Sequence, residues 1–276
     1  MKPTDAPLSR SGARPVQVQT YRGGRVARAD DWLADEVPVA LVFNGISHAV
    51  MLATPLDLED FALGFGLSEG LLAQPGELYG IEEVAVANGI ELQLEVASAC
   101  EFRLKERRRN LSGRTGCGLC GTESLDEVLR PMPALAGTLQ ITPQAVARSL
   151  VSLRAAQSLQ HSTGASHAAA WCDASGEARI VREDVGRHNA LDKLAGAMVR
   201  AKVRAQDGFI TVTSRASVEM VQKTVMAGVS VLAAVSAPTA LAVEVAQRAG
   251  LALAGFARGD DFVAYSFAER FGLKAD

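Results

Sequence analysis

Cysteine is scarce and unevenly spread, with four in 276 residues, at positions 100, 117, 120 and 172. That set is too small and too irregular for a secreted disulfide framework, so reduced thiols and a cytoplasmic location are expected. The first 30 residues are polar, sprinkled with arginine and without an apolar h-region, so no signal peptide is expected. Long apolar runs are also missing. The most apolar window, 229–246, contains Pro238, Thr239 and Glu244 and reads as buried strand, loop and helix rather than as a membrane span. Neither sign of charge dominates. The 28 Lys and Arg against 31 Asp and Glu leave a net charge of -3, which gives no general attraction to nucleic acid. No Walker loop, no G-x-G-x-x-G and no long-period repeat occurs.

What is present is an ordinary globular composition, 48% hydrophobic and 21% charged, over a length that favours two moderate domains. Residues 1–29, rich in Pro, Gly, Arg and Ser, are expected to form a mobile tail. Two stretches, "VPVALVFNGISHAVML" and "IEEVAVANGIELQLEV", pair β-rich runs across Asn44-Gly45 and Asn88-Gly89, the chemistry of tight hairpin turns. Between them Thr54 is the expected N-cap of a helix with Pro55 at its first position, although Gly64 and Gly66 weaken its interior. The first domain, 30–135, is thus a small α+β unit ending in a C-x-x-C loop and its following helix. "RPMPALAG" (130–137) marks the boundary. In 136–276 helices are expected at 142–159, 188–203, 217–227 and 239–249. They alternate with the apolar strands "HAAAWCD", "ARIVRED", "GFITVTS", "VSVLAAVS", "LALAGFA" and "DFVAYSF". That order predicts an α/β domain with a mostly parallel sheet between helices.

"RTGCGLCGTESLDEVL" (114–129) holds Cys117 and Cys120. A structural zinc site needs four ligands, usually two such pairs, and Cys100 and Cys172 have no cysteine neighbour to form a second; His161 or His167 would have to complete the set. The element order of the second half resembles the cytidine deaminases, yet their zinc chemistry needs H-x-E and P-C-x-x-C, and neither occurs. In a thioredoxin-like redox pair the cysteines sit at a helix N-terminus, whereas here Ser124 and Glu127 form a capping box beyond Cys120. Gly113, Gly116, Gly118 and Gly121 make the segment a flexible loop, and Arg107, Arg108, Arg109 and Arg114 favour thiolate. The pattern suits a carrier that reaches between two other sites. Cys100 and Cys172 read as ordinary buried strand residues, and the 107–109 run equally as a solvated face.

Ligands of open α/β sheets bind beyond the carboxyl ends of the strands, where helix N-termini offer free N–H groups to anions. Three loops qualify: "REDVGRHN" (182–189), "TSRAS" (213–217) and "VSAPT" (235–239). They collect Asp184, Arg187, His188, Asn189, Ser214, Arg215, Ser217, Ser236 and Thr239. Ser236, Pro238 and Thr239 are equally explained as helix caps. The density of groups in 184–189 exceeds what a turn requires and implies a phosphate-bearing ligand.

Together "TGCGLCG", "TGASHAAAW", "REDVGRHNALDKL", "SRASVEMVQK", "VLAAVSAPTALAVE" and "GFARGDDF" resemble, in order, the signatures of the formate dehydrogenase accessory protein family, over 37–266. The resemblance implies a cytidine-deaminase-like second half without its zinc. It further implies a cytoplasmic sulfurtransferase that carries sulfur from a cysteine desulfurase to the bis-molybdopterin guanine dinucleotide cofactor of the formate dehydrogenase catalytic subunit. On that basis Cys117 carries a persulfide and Cys120 assists, and the cofactor lies against Phe256, Ala257, Arg258, Gly259, Asp260 and Asp261. Contacts with Arg187, His188, Ser214, Arg215 and Ser236 are the less firmly implied part. A basic residue is frequent in the family where this chain has Asp261, which withdraws support for a phosphate contact there but not at Arg258. A guanine nucleotide would mimic half of the cofactor, and no metal site, nucleic acid or membrane is implied. A homodimer is left open, as is the alternative of a non-catalytic chaperone that binds the cofactor and docks it onto a molybdenum or tungsten dehydrogenase.

Overall fold

The computed structural model describes residues 12–110 and 132–273. Strand β1 (Ala13–Arg22) and strand β2 (Arg25–Ala34) form an antiparallel ribbon closed by Gly23 and Gly24, both at positive φ. The expectation of an irregular tail up to residue 29 is therefore corrected for 12–29. A Gly-Gly pair at the tip supplies the backbone that a two-residue hairpin turn demands, and Arg14 pairs with Asp35 to fasten the base.

Four strands follow: β3 (Val37–Phe43), β4 (Ile46–Ala53), β5 (Leu78–Val86) and β6 (Gly89–Val96). They form a sheet of order β4-β3-β6-β5, with both expected hairpins in place and β3 parallel to β6. Helix α1 (Leu58–Ser68) and helix α2 (Ser98–Asn110) contribute Phe61, Phe65, Cys100 and Leu104 to the core over this sheet. Cys100 is thus a buried helical residue, not a strand residue. The N-cap of α1 is Asp57, not Thr54; Thr54 is fully buried and serves partners 130 residues away.

The second half begins with helix α3 (Pro143–Ala156), capped by Thr142, and the short helix α4 (Ser158–Thr163), so the expected single helix is broken at Gln157. Strands β7 (His167–Asp173), β8 (Ala178–Asp184), β9 (Gly208–Val212), β10 (Val231–Ala234), β11 (Ala252–Arg258) and β12 (Asp261–Ser266) form a sheet of order β12-β11-β10-β9-β7-β8. Only β9-β10 and β10-β11 are parallel; the other three pairings are antiparallel. The expected mostly parallel sheet is corrected to a mixed one. The cause is the short links within β7-β8 and β11-β12, because a parallel neighbour needs a long crossover. Helix α5 (Arg187–Arg200), helix α6 (Val218–Met226) and helix α7 (Ala240–Ala249) cover one face through Leu191, Leu194, Val221 and Val245. On the other face α3 packs Val146 and Leu153 with Phe209 and Phe271.

Helix α5 is buried at every position from Asn189 to Met198, because α1 lies on the side turned away from the sheet. The two helices touch backbone to backbone. A Cβ on Gly64 would fall 1.8 Å from the Asp192 carbonyl oxygen, and one on Gly196 would fall 1.9 Å from that of Asp60. Gly64 is therefore a contact point rather than a weakness. In an exposed helix Gly64→Ala would add up to about 1 kcal/mol of stability. Here the helices must separate, and the substitution is expected to cost about 1–3 kcal/mol. A urea midpoint equal to or above that of the wild type, at unchanged slope, would contradict the close crossing.

Candidate functional site

The carboxyl ends of β9, β10 and β11 share one edge of the six-stranded sheet with the start of β7 and the end of β8, since β7 runs antiparallel to both of its neighbours. At about 4.8 Å per strand, the edge from β11 to β8 is ~19 Å long. The loops 213–217 and 235–239 run side by side along it. Ser236 N donates to Ser214 O at 3.4 Å and Thr239 N to Ala216 O at 3.2 Å. Phe256 N donates to Ser236 O at 3.2 Å, which joins the end of β11 to the same lip.

Asp184, fully buried, organises the other end. Its Oδ1 accepts from Gly186 N at 2.8 Å and from Asn189 Nδ2 at 3.0 Å. Its Oδ2 accepts from Thr54 N at 3.0 Å and lies 2.6 Å from Lys193 Nζ, which also donates to Thr54 O at 2.9 Å. The dense motif 184–193 thus splits by role. Asp184, Asn189 and Lys193 turn inward and hold the fold, while Arg187 and His188 stand half-buried at the start of α5.

There the structure assembles a cluster of titratable groups around Arg187. His188 Nε2 lies 2.6 Å from Glu219 Oε2, and Ser217 Oγ donates to the same oxygen at 3.2 Å. His188 holds the Glu219 carboxyl below its ordinary pKa, against the upward push of burial. His167, opposite Asp184 at the start of β7, is held below the ordinary histidine range by burial first and then by the charges of Arg187 and His188. Arg187 Nε is buried and lacks a hydrogen-bond partner among the described residues. An unpartnered buried guanidinium donor beside two histidines calls for an anion. The N-termini of α5 and α6 add N–H groups with no side-chain cap, whereas Thr239 Oγ1 caps α7 by accepting from Ala242 N at 3.3 Å. Glu219 escaped the sequence-based selection and His167 entered it only as a residue that could complete a zinc set, because cross-strand register and helix packing are what bring them to this point.

The remaining candidates occupy the opposite lip. Ser214 is buried and donates to Arg215 O at 3.0 Å, and Arg215 is exposed. Phe256, 45% exposed, takes φ 52° at a bulge in β11 that turns its ring outward. Ala257 is a core residue, and Arg258, Gly259, Asp260 and Asp261 are exposed around the β11-β12 turn. The space that a Cβ on Gly255 would fill is taken by Pro238 and Tyr265, so that glycine packs against the protein itself. Cys117, Cys120, Arg114 and the Ser124–Glu127 capping box lie outside the described residues, as do the side chains of 107–109. The described chain resumes at Met132, which packs with Leu135 on the core beneath α5, α6 and α7. Among the described residues no group of three or more His, Cys, Asp or Glu could hold a metal ion, and no helix is long and apolar enough to cross a membrane.

A family model described as the FdhD/NarQ family matches residues 34–272. The chain is 59% identical to the sulfur carrier protein FdhD of Variovorax paradoxus over 277 aligned positions, covering 100% of both chains. It is 53% identical to the protein of that name from Bordetella petrii, covering 96% of each. A crystal structure described as a candidate formate dehydrogenase accessory protein from Desulfotalea psychrophila shares its fold. The TM-score is 0.75 at 20% identity, over 94% of this chain and 99% of that one.

The two cysteines within the cores are poor nucleophiles. Burial, the largest cause, pushes the Cys172 thiol up to about 12, and Cys100 is fully enclosed. Since the thiolate is the reactive form, alkylation of the native protein at pH 8 is expected to label only Cys117 and Cys120, and all four after denaturation. Rapid native labelling of Cys172 would contradict its enclosure.

Proposed function

The chain belongs to the FdhD/NarQ family, and from that premise we propose that it is a cytoplasmic sulfur carrier serving formate dehydrogenase maturation. Cys117 is the acceptor. Its thiolate attacks the outer sulfur of a persulfide on a cysteine desulfurase; the desulfurase thiolate leaves, and Cys117 keeps that sulfur as its own persulfide. Cys120 then attacks the inner sulfur. A Cys117–Cys120 disulfide forms and the outer sulfur departs as hydrosulfide, its two electrons supplied by the thiols. The recipient is the molybdenum of the bis-molybdopterin guanine dinucleotide cofactor on its way to the dehydrogenase catalytic subunit. A cellular thiol reductant reopens the disulfide.

The observation that carries this proposal is full-length similarity to relatives named sulfur carrier proteins, in a chain with a C-x-x-C. The crevice supports the client half. Its length suits an elongated anion, and the unpartnered Arg187 Nε with the N–H groups of α5 and α6 suits phosphate. Each such terminus favours a nearby anion by about 0.3–1 kcal/mol. Phe256 and Arg258 at the far lip suit a guanine base, by stacking and by hydrogen bonding respectively. The fold of the second half is taken as cytidine-deaminase-like without the zinc.

Incubation with a desulfurase and cysteine is expected to add the mass of one sulfur atom to the intact protein, and Cys117→Ala is expected to abolish both that adduct and dehydrogenase activation. A protein that activates the dehydrogenase with both Cys117 and Cys120 replaced by alanine would favour the cofactor chaperone instead. In calorimetry GDP is expected to bind more tightly than ADP. Arg187→Ala or Arg258→Ala should weaken GDP by roughly ten- to a hundredfold, the loss of one charged hydrogen bond. Equal binding of both nucleotides, unaffected by either substitution, would place the client site elsewhere.

A further inference from the structure

Two consecutive residues at the start of α5 keep buried donors without a hydrogen-bond partner among the described residues, Arg187 Nε and His188 Nε2. The second lies 2.6 Å from Glu219 Oε2, close enough for an ion pair but out of line for a hydrogen bond. Glu219 belongs to the first turn of α6, so its carboxylate stands where the starts of the two helices meet. Ser217, at the N-cap of α6, does not cap the helix; its Oγ donates to the same carboxylate oxygen at 3.2 Å. A place suited to phosphate therefore holds an anion of its own. That carboxylate opposes every anionic ligand, and opposes it more strongly the more charge the ligand brings.

The surrounding charges nearly cancel. Lys193 and Asp184 lie 2.6 Å apart, both without exposed surface, and neutralise each other. Arg182 and Glu183 of β8 are engaged elsewhere, with Asp60 and with the backbone of α4. His167 is pushed towards its neutral form by burial first, then by the charges of Arg187 and His188. The His188–Glu219 pair carries either no net charge or one negative charge. Arg215, in the loop before α6, is exposed, and water and salt screen it. One uncompensated positive charge remains, on Arg187. We propose that Glu219 is a specificity-determining residue that fits this end of the crevice to a phosphate with a single negative charge. Each phosphate of a pyrophosphate bridged at both ends is of that kind. A terminal phosphate carries close to two charges at neutral pH and sets the second against Glu219. The inference rests on the reading of the crevice as a phosphate site and names the class it selects: pyrophosphate diesters over a free nucleoside diphosphate.

Calorimetry on the full chain at pH 7.5 with GDP and its β-methyl ester tests this, because the two ligands differ by one methyl group and one negative charge. The wild type is expected to bind the ester about tenfold more tightly. Glu219→Gln keeps the shape and removes the charge. It should tighten GDP about tenfold and leave the ester nearly unchanged, so that the preference disappears. Glu219→Asp keeps the charge and should keep the preference. Ester binding by the variants also shows that they are folded. Equal binding of GDP and ester by the wild type overturns the proposal and leaves the phosphate reading of the crevice standing. So does a preference that survives Glu219→Gln, or a Glu219→Gln protein in which both ligands weaken alike. A wild type that binds neither ligand overturns the phosphate reading, and the proposal with it.

Discussion

The crevice depends on one carboxylate. Asp184 has no exposed surface, and an ionised carboxylate in that position would be strongly unfavourable without compensation. Three donors and the Lys193 ammonium compensate it, and they come from three places in the chain. Gly186 and Asn189 fix the turn after β8, Lys193 fixes one turn of α5, and Thr54 fixes the strand end that precedes α1. Arg187 and His188 sit between two of these anchors. Their placement at the crevice thus follows from a charge that never meets solvent.

Two further polar clusters join the first and second halves of the molecule along the same helix. Asp192 receives Ser68 at 2.6 Å and Lys223 at 2.8 Å, and Lys223 also reaches Glu69 at 3.1 Å. Burial works against the Lys223 charge, but the Asp192 and Glu69 carboxylates outweigh it and hold the lysine above its usual pKa. Asp60 is clasped by Arg182 at 2.7 Å and Arg200 at 3.0 Å. Buried ion pairs add little net stability compared with apolar packing, but a mispaired one is costly. Around the Gly64–Gly196 crossing these clusters select one rotation and one translation of α5 against α1. Apolar contact alone would tolerate several. Fixing α5 fixes the direction in which its first residues point.

Elements governed by neighbouring residues were legible in the sequence. The hairpins at Asn44-Gly45 and Asn88-Gly89, the Thr142 and Thr239 caps and the alternation of apolar strands with helices are all local chemistry. The ribbon was missed although Gly23-Gly24 is a turn signal of the same kind and Val16-Gln17-Val18-Gln19 alternates as a strand does, because the Pro, Gly, Arg and Ser content of 1–29 outweighed both. Thr54 had the right chemistry for a cap, but its partners Asp184, Val185 and Lys193 belong to the other half of the chain. The excess of polar groups in 184–193 was visible, while its division into inward and outward residues was not. That division requires knowing that α1 covers the back of α5.

The mixed direction of the main sheet enlarges the site. Three strands in parallel would bring three carboxyl ends to one edge; the antiparallel pair β7-β8 adds His167 and the Asp184 turn to that edge, and the β11-β12 turn adds Arg258. The segment that holds the C-x-x-C leaves α2, whose Cys100 and Leu104 lie in the first core, and returns at Met132 on the second. Both attachment points belong to one body, because Asp184, Asp192 and Asp60 lock the halves together. Cys117 is seven residues beyond Asn110, so its Cα lies within about 25 Å of the end of α2 however the intervening chain runs. The Asp184 anchors hold the Arg187 end of the crevice fixed relative to both attachment points.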